Sequence, residues 1–368
     1  MALKVAIVGL PNVGKSTLFN ALTQTAAAQA ANYPFCTIEP NEGEVAVPEA
    51  RLEALAKIAG SKEIIPARIT FVDVAGLVRG ASKGEGLGNQ FLANIRDCDA
   101  VALVARCFED GDITHVEGRI DPLSDLDIIE TELMLADLES LERRLPNLEK
   151  RAKAGADKES AKTLELVRLA LEALNAGRPA RAAFDKVARE DHKAWHMLQL
   201  LTALPALYVC NVQEDEAAEG NALSAAVSAR AARDGAKSVV ISAKIESEIA
   251  LLAADERAEF LETLGLVEPG LNRLIHEAYK LLGLQTYFTV GPKEARAWTI
   301  PVGATAPQAA GVIHTDFEKG FIRAETVAFD DFVALGGESK ARDAGKLRAE
   351  GKTYVVRDGD VMHFLFSG

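Results

Sequence analysis

Short apolar runs recur near the start of the chain and again after residue 205, each followed by polar or glycine-containing residues. Runs of this kind, bounded by turn-forming residues, are typical of buried β-strands. They span residues 3–8, 68–74, 100–106, 206–210 and 238–241. A helix is predicted over about 15–25, directly after the first strand. Strands that alternate with helices indicate an α/β fold with a mostly parallel sheet flanked by helices.

The middle of the chain shows a helical pattern instead. Apolar residues recur there at alternating spacings of four and three, which is typical of a coiled-coil seam. They are Met134, Leu138, Leu141, Leu145 and Leu148, then Leu164, Val167, Leu171 and Leu174. The polar residues 153–159 are predicted to turn the chain between two antiparallel helices, and a shorter third helix is predicted over about 184–201. This segment is therefore expected to form a helical arm inserted before the strand at 206–210.

The pattern changes again after Gly283, which follows a helix predicted over 271–282. Short strands are predicted over 286–290, 297–300, 321–327, 353–356 and 361–366. One helix, over 306–314, lies among them and begins with Thr305-Ala-Pro. This order of strands and helix indicates a β-grasp unit. The sequence of this region offers no acid–base pair, so we interpret it as a binding module with Trp298 in its core.

The most specific motif directly follows the first strand. Residues 9–17 read Gly-Leu-Pro-Asn-Val-Gly-Lys-Ser-Thr and satisfy the phosphate-loop pattern G-x-x-x-x-G-K-[ST]. Glycines allow backbone N–H groups to surround an anion, and the start of the following helix adds its positive dipole end. Lys15 is expected to reach the β- and γ-phosphates of a nucleotide, and the Ser16 hydroxyl to bind Mg²⁺. The predicted nucleotide-binding residues of this loop are Asn12, Val13, Gly14, Lys15, Ser16 and Thr17.

Two further segments fit the switches of a GTPase-like fold. The first is a proline-containing loop in which Thr37 would bind Mg²⁺ and sense the γ-phosphate. The second begins with D-x-x-G, where Asp73 would hold Mg²⁺ through water and Gly76 would bring its N–H to the γ-phosphate. The glycine-rich residues 77–89 that follow are expected to be mobile.

Hydrolysis requires an oriented water molecule, and this chain has Leu77 where Ras-type GTPases place a glutamine. Leucine makes no hydrogen bond to water, so turnover is slow or another group orients the water. The candidates are His115 in a polar loop after the strand at 100–106, Asn12 through a bound monovalent cation, and Arg79 as a finger in cis. We favour His115, because a neutral imidazole can orient water.

The base-reading element is expected after the strand at 206–210. Guanine-specific GTPases carry Asn-Lys-x-Asp there, whereas this chain has Asn211-Val-Gln-Glu214. The aspartate accepts from two adjacent guanine donors, and Glu214 is one methylene too long for the same fit. Val212 replaces the lysine, while Asn211 is able to bond the adenine N6 amino group and N7. ATP is therefore the predicted nucleotide. The last nucleotide motif is Ser242-Ala243-Lys244, whose backbone is expected near the base.

Length, composition and net charge exclude some classes of protein. The chain has 368 residues, 48% of them hydrophobic and 26% charged, which fits a globular protein of two or three domains. A net charge of −13 argues against attraction of the whole surface to nucleic acid or an anionic membrane. Cys98, Cys107 and Cys210 are expected to be reduced core residues, and a redox-sensitive Cys36 is the weaker interpretation. Because no apolar run is long enough to span a membrane, we predict a cytoplasmic protein.

Four motifs together resemble the YchF group of Obg-like ATPases, within the translation-factor-related class of P-loop GTPases. They span residues 9–17, 34–41, 73–81 and 211–214. The resemblance covers essentially the whole chain, and in this family the C-terminal region is the TGS domain. It implies ATP hydrolysis in preference to GTP, Mg²⁺ dependence, often K⁺ stimulation, and association with ribosomes. It also implies that Ser16 and Thr37 hold Mg²⁺ and that His115 matches the family's proposed catalytic histidine.

The expected architecture has three domains. Residues 1–125 and 204–282 would form a P-loop, GTPase-like nucleotide-binding domain, 126–203 a helical coiled-coil insertion, and 283–368 a TGS-like β-grasp domain. The expected function is a Mg²⁺-dependent ATPase that acts as a nucleotide-controlled switch on the ribosome. Two alternatives stay open, namely a true GTPase of the Obg kind and a nucleotide-gated binding protein with negligible turnover, which Leu77 favours.

Basic residues cluster near the turn of the helical arm. They are Lys150, Arg151, Lys153, Lys158 and Lys162. Two interpretations of this cluster stay open. One is the solvated end of an antiparallel hairpin, and the other is a contact with ribosomal RNA phosphates. The arm tip and the TGS domain are the surfaces through which we expect the ribosome, by its RNA or its proteins, to be bound.

Overall fold

The structure, a computed structural model, describes residues 3–30, 41–74, 87–110, 119–153 and 158–367. Its strands are β1 Lys4–Gly9, β2 Glu42–Ala46, β3 Glu63–Ile65, β4 Arg68–Asp73, β5 Ala100–Arg106, β6 Ala206–Asn211, β7 Lys237–Ile241, β8 Leu284–Val290, β9 Glu294–Pro301, β10 Phe321–Ala328, β11 Arg348–Glu350 and β12 Asp360–Phe366. Its helices are α1 Lys15–Ala30, α2 Ala50–Ala59, α3 Leu87–Arg96, α4 Pro122–Lys153, α5 Lys158–Asn175, α6 His192–His196, α7 Ala222–Arg233, α8 Ala243–Ile249, α9 Ala254–Thr263, α10 Gly270–Leu281, α11 Ala306–Ile313, α12 Thr315–Lys319, α13 Phe329–Leu335 and α14 Glu338–Asp343.

The first sheet has the strand order β2-β4-β1-β5-β6-β7. All neighbours in it are parallel except β2, which runs antiparallel to β4 at the edge. Every residue of β5 and β6 is buried, as expected for central strands covered on both faces. The predicted mostly parallel α/β sheet is therefore confirmed. Its carboxyl ends lie at one edge, which is where ligands bind in sheets of this kind.

The middle of the chain forms two long helices, α4 and α5, that pack against each other around a separate apolar cluster. Leu141, Val167 and Leu174 are buried in that cluster. The remaining seam residues Met134, Leu138, Leu145, Leu148 and Leu171 lie partly buried against it. The first turns of α4 pack instead on the parallel sheet, since Leu126 and Ile129 belong to its core.

The single third helix predicted over 184–201 is wrong. That segment is broken into two 3₁₀ turns (Ala180–Lys186 and Arg189–Asp191), the five-residue helix α6, and a further 3₁₀ turn at Leu201–Ala203. The backbone is extended at Val187 and Ala188 and left-handed at Gln199, so no continuous helix passes through these positions. Their apolar neighbours turn toward one cluster centred on the fully buried Trp195.

A buried carboxylate joins the helical arm to the chain that returns to β6. Asp137 is fully buried in α4 and accepts hydrogen bonds from the backbone N–H groups of Leu201 (2.9 Å) and Thr202 (2.8 Å). It also accepts from the Thr202 hydroxyl at 2.6 Å. Burial raises the pKa of Asp137, and the hydrogen bonds from Thr202 oppose that rise. The Asp137 carboxylate thus fixes the backbone at residues 201–202, where the chain leaves the helical arm for β6.

The second sheet has the order β11-β10-β12-β8-β9-β3. Its outer strand β3 comes from the segment before β4 and pairs in parallel with β9, so the sheet is completed by residues far away in sequence. The strand predicted over 353–356 is wrong. Only an isolated bridge joins Thr305 to Val355 there, and the short strand of this region is β11, which pairs with β10.

An arginine at the start of α2 joins this helix to the C-terminal sheet. Arg51 donates two hydrogen bonds to Glu49 (2.8 and 2.6 Å) and one to Asp358 (2.7 Å), in the turn before β12. Its guanidinium also lies 5.3 Å from the centre of the Phe288 ring in β8. These contacts connect α2, which belongs to the nucleotide-site half of the chain, with the C-terminal sheet.

We predict that Asp137→Ala lowers the free energy of unfolding by about 2–4 kcal/mol, because two buried N–H groups lose their acceptor. Urea denaturation followed by Trp195 fluorescence, in a Trp298→Phe background, measures the change. The matched control is Glu139→Ala on the exposed side of the same helix, which should leave the midpoint within experimental error. Equal midpoints for the two variants would contradict this account.

Candidate nucleotide-binding site

A cleft of about 730 Å³ opens at the carboxyl edge of the parallel sheet. Four segments line it, each following a different strand: the loop after β1, the residues after β5, the residues after β6 and the residues after β7. The lining residues are Leu10, Pro11, Asn12, Gly14, Lys15, Ser16, Thr17, Phe108, Asp110, Asn211, Val212, Gln213, Glu214, Ser242, Ala243 and Lys244. Sequence motifs that lie far apart in the chain therefore meet in one cavity of a size that suits a small ligand.

The loop after β1 has the tight backbone that its glycines permit. A Cβ at Gly9 would come within 2.8 Å of the Val13 side chain. Gly14 has φ +90°, and a Cβ there would lie 2.1 Å from Asn211 Nδ2. Asn12 also has a positive φ of 64°, and the Val13 side chain is buried beneath the loop. This shape places the first N–H groups of α1 at the cleft, where an anion is stabilised.

Lys15 and Asp73 lie side by side at the base of the loop. The Lys15 side chain is only 9% exposed, and its ammonium forms an ion pair and hydrogen bond with the Asp73 carboxylate. Asp73 ends β4, which is paired in register with β1, so the sheet itself brings the two charges together. Ser16 and Thr17 are exposed at the mouth of the cleft. A cation for phosphates and a carboxylate for a metal ion are thus adjacent.

Asn211 has a structural role that the sequence did not suggest. Its side chain is buried, its Nδ2 donates to the Val13 carbonyl (2.9 Å), and its Oδ1 accepts from the Ala243 N–H (2.9 Å). The amide therefore ties the phosphate loop to the start of α8. One N–H of Nδ2 and one lone pair of Oδ1 are used in this way, so the predicted contact with the adenine N6 and N7 stays a prediction. Local sequence patterns could not predict these contacts, because neither Val13 nor Ala243 is near Asn211 in the chain.

Val212 and Glu214 continue from that clamp. Val212 is buried, and its N–H donates to the Ile241 carbonyl at 2.9 Å, which joins the ends of β6 and β7. Glu214 turns toward Lys244, with which its carboxylate forms an ion pair at the rim. The carboxylate that stands in the place of the guanine-reading aspartate is thus bound to a lysine of this chain.

The structure adds a wall that sequence reasoning missed, formed by the residues after β5. Arg106 is fully buried and donates to the carbonyls of Phe108 (3.2 Å) and Asp110 (3.3 Å). Its guanidinium also lies 4.6 Å from the centre of the Phe108 ring. From the other side, Gln213 Nε2 donates to the Glu109 carbonyl at 2.5 Å. The signal in the sequence was an arginine ending a wholly apolar strand and followed closely by an aromatic residue.

Several predicted residues lie outside the described part of the chain. They are Cys36, Thr37, Gly76, Leu77, Arg79 and His115. The residues 87–89, which were expected to be mobile, belong to the first turn of α3. Cys98, Cys107 and Cys210 are buried and free, as predicted, and burial raises the pKa of Cys98 to about 12.

Two findings concern the described ranges as a whole. Within them, no group of three or more His, Cys, Asp or Glu side chains is arranged to hold a metal ion. None of the described helices is long and apolar enough to cross a membrane.

We predict that Gly14→Ala weakens nucleotide binding at least tenfold (about 1.4 kcal/mol), because the new Cβ displaces the Asn211 amide. Gly60→Ala is the matched control, since Gly60 also has a positive φ (64°) but has open space around a Cβ. Both variants place a Cβ at a positive φ, and only the first should lose affinity for a non-hydrolysable ATP analogue in calorimetry. Retained binding in Gly14→Ala would refute the clamp geometry.

Two family models match the chain. A model described as a 50S ribosome-binding GTPase matches residues 4–176. A second, the C-terminal model of YchF GTPases, described as a protein of unknown function, matches residues 284–367. The two matched ranges correspond to the half of the chain that begins with the phosphate loop and to the C-terminal sheet.

Named relatives match over their full length. The ribosome-binding ATPase YchF of Haemophilus influenzae is 58% identical, and that of Bacillus subtilis is 52% identical, with 100% of each chain covered. The solved structure of the Schizosaccharomyces pombe YchF GTPase is similar with a TM-score of 0.87 at 37% identity, covering 99% of this chain and 97% of that one. These proteins are named for different nucleotides, so the choice between ATP and GTP has to be argued from the cleft.

Proposed function

Because this chain belongs to the YchF family, we propose that it is a Mg²⁺-dependent ATPase that works as a nucleotide-controlled switch on the ribosome. The observation that carries the proposal is the cleft, in which the phosphate loop, the end of β6 and the start of α8 are tied together by Asn211. A site of this shape has an anion-binding end at Lys15 and a base-sized end between Phe108 and Lys244.

At the anion-binding end, Lys15 and the loop N–H groups stabilise negative charge on the γ-phosphoryl group while water attacks in line. Ser16, Thr37 and Asp73 would hold Mg²⁺. The adjacency of the Lys15 ammonium and the Asp73 carboxylate supports this assignment, because it places a phosphate-binding group directly beside a metal-binding group. Bound Mg²⁺ would neutralise the β- and γ-phosphates. Gly76 would contribute its N–H to the γ-phosphate.

For the water we propose His115 as the orienting residue, since Leu77 offers no hydrogen bond. A K⁺ ion near Asn12 would assist by neutralising charge that develops during hydrolysis.

The preference for ATP rests on the two departures from the guanine-reading motif. Val212 is buried in the structure and offers no lysine stem to the base, and Glu214 is engaged by Lys244. A GTPase of the Obg kind is the second candidate, favoured by the likeness to the solved S. pombe YchF GTPase. Negligible turnover is the third, favoured by Leu77.

The ribosome is proposed as the macromolecular partner, and the cytoplasm as the location. Two regions would carry the contact: the helical arm, which we interpret as a coiled coil spanning 126–203, and residues 283–368, which we interpret as a TGS-like β-grasp domain. At the arm tip, Lys150 and Arg151 end α4 beside Lys153. Lys162, counted in the basic cluster, is paired with Asp191 at 2.7 Å and contributes less free charge than its sequence position implied.

We predict that, in the presence of Mg²⁺, a non-hydrolysable ATP analogue binds at least tenfold tighter than its GTP counterpart, a difference of about 1.4 kcal/mol. Calorimetric titration of the two analogues side by side measures the ratio. Omitting Mg²⁺ should weaken both. A tenfold preference for the GTP analogue would place the protein with the GTP switches.

We predict that His115→Ala lowers kcat for ATP by about a hundredfold while the affinity for the ATP analogue changes less than twofold. Single-turnover hydrolysis with and without ribosomes, in K⁺ buffer, measures the rate. The control is His363→Ala, at an exposed position of β12. An unchanged rate in His115→Ala would transfer the role to the bound cation or to Arg79.

A further inference from the structure

An ion pair stands at the rim of the cleft, opposite the phosphate loop. Glu214 begins the short 3₁₀ turn after β6, and Lys244 lies in the first turn of α8 after β7. Their side chains meet carboxylate to ammonium, although both are largely exposed, at 42% and 72%. The Lys244 ammonium donates to the Glu214 carboxylate, and this interaction raises the pKa of Lys244. Both residues line the nucleotide cleft.

The two partners are held in place by the same contacts that build the cleft. The N–H of Ala243, beside Lys244, donates to Asn211 Oδ1 at 2.9 Å. On the other side, the Val212 N–H donates to the Ile241 carbonyl at 2.9 Å, which fixes the backbone two residues before Glu214. The pair therefore joins two anchored loops, which distinguishes it from a chance encounter of two mobile surface side chains.

A carboxylate at this position has opposite consequences for the two purines. Guanine presents N1–H and a 2-amino group, which donate to a free carboxylate, whereas adenine presents the N1 lone pair, which an unpaired carboxylate repels. When the carboxylate is bound to an ammonium, its charge is neutralised and one of its oxygens is occupied. Guanine then loses an acceptor and adenine loses a source of repulsion.

We propose that Lys244 is a specificity-determining residue, which favours adenine over guanine by binding the Glu214 carboxylate. This inference rests on the proposed nucleotide-binding function of the cleft. It assigns the choice of base to a residue of the last nucleotide motif, in addition to the change of aspartate to glutamate itself. Because the pair is exposed, its effect should weaken as salt screens it.

The test compares the affinities of non-hydrolysable ATP and GTP analogues, by calorimetry with Mg²⁺, in wild type and Lys244→Ala. Freed from its partner, Glu214 becomes available to guanine, so the ratio of ATP to GTP affinity should fall about fivefold. Lys244→Arg should keep the wild-type ratio, because arginine also binds the carboxylate. Lys237→Ala is the matched control, since it removes the same charge from the opposite end of β7.

Two further measurements test whether the Glu214 carboxylate causes this change in the affinity ratio. In a Glu214→Gln background, Lys244→Ala should leave the ratio unchanged, because no carboxylate is left to release. An inosine triphosphate analogue has N1–H but no 2-amino group, so it should gain less than the GTP analogue in Lys244→Ala. An unchanged ratio in a Lys244→Ala protein that still binds ATP would overturn the role of Lys244 alone. A wild-type protein that binds neither nucleotide would overturn the proposed function, and this inference with it.

Discussion

The nucleotide cleft depends on one buried amide. Asn211 donates to the Val13 carbonyl and accepts from the Ala243 N–H, so it joins the phosphate loop to the loop after β7 across the end of β6. A buried amide with both ends satisfied is strongly position-specific, because loss of either partner leaves a polar group without a hydrogen bond. The absence of a side chain at Gly14 is part of the same arrangement, since a Cβ there would overlap the Asn211 amide.

The two sheets of the molecule are connected through β3 and β4. Only Pro66 and Ala67 separate β3, the outer strand of the C-terminal sheet, from β4, which ends at Asp73. One short segment therefore takes part in both sheets, and Arg51 reinforces the junction through Asp358. The half of the chain that carries the nucleotide site is thus connected to the C-terminal sheet both covalently and by hydrogen bonds.

The parts predicted correctly from sequence are those that local patterns determine. The strand at Ala100–Arg106 and the helix that begins at Lys15 follow from apolar runs and from the phosphate-loop motif. The helix predicted over 184–201 and the strand predicted over 353–356 failed, because their apolar residues pack into clusters built by distant segments. Short elements such as β3 carry too few residues to show a period.

The same distinction applies to the site. The motif residues around Lys15 could be named from spacing alone, but the partners of Asn211, Glu214 and Arg106 could not. Each of them contacts backbone or side chains supplied by the fold rather than by a recognisable motif. Sequence reasoning therefore identified the motif residues that gather at the cleft. The structure was needed to add the residues after β5 and to show which side chains bind one another.

The most direct test of the central claim is the binding of ATP and GTP analogues to Asn211→Ala, by calorimetry with Mg²⁺. If Asn211 builds the cleft, both affinities should fall by the same factor, at least tenfold or about 1.4 kcal/mol, and the ratio between them should stay that of the wild type. A loss confined to the ATP analogue, with the GTP analogue bound as before, would show instead that Asn211 reads the adenine base, and would contradict the clamp.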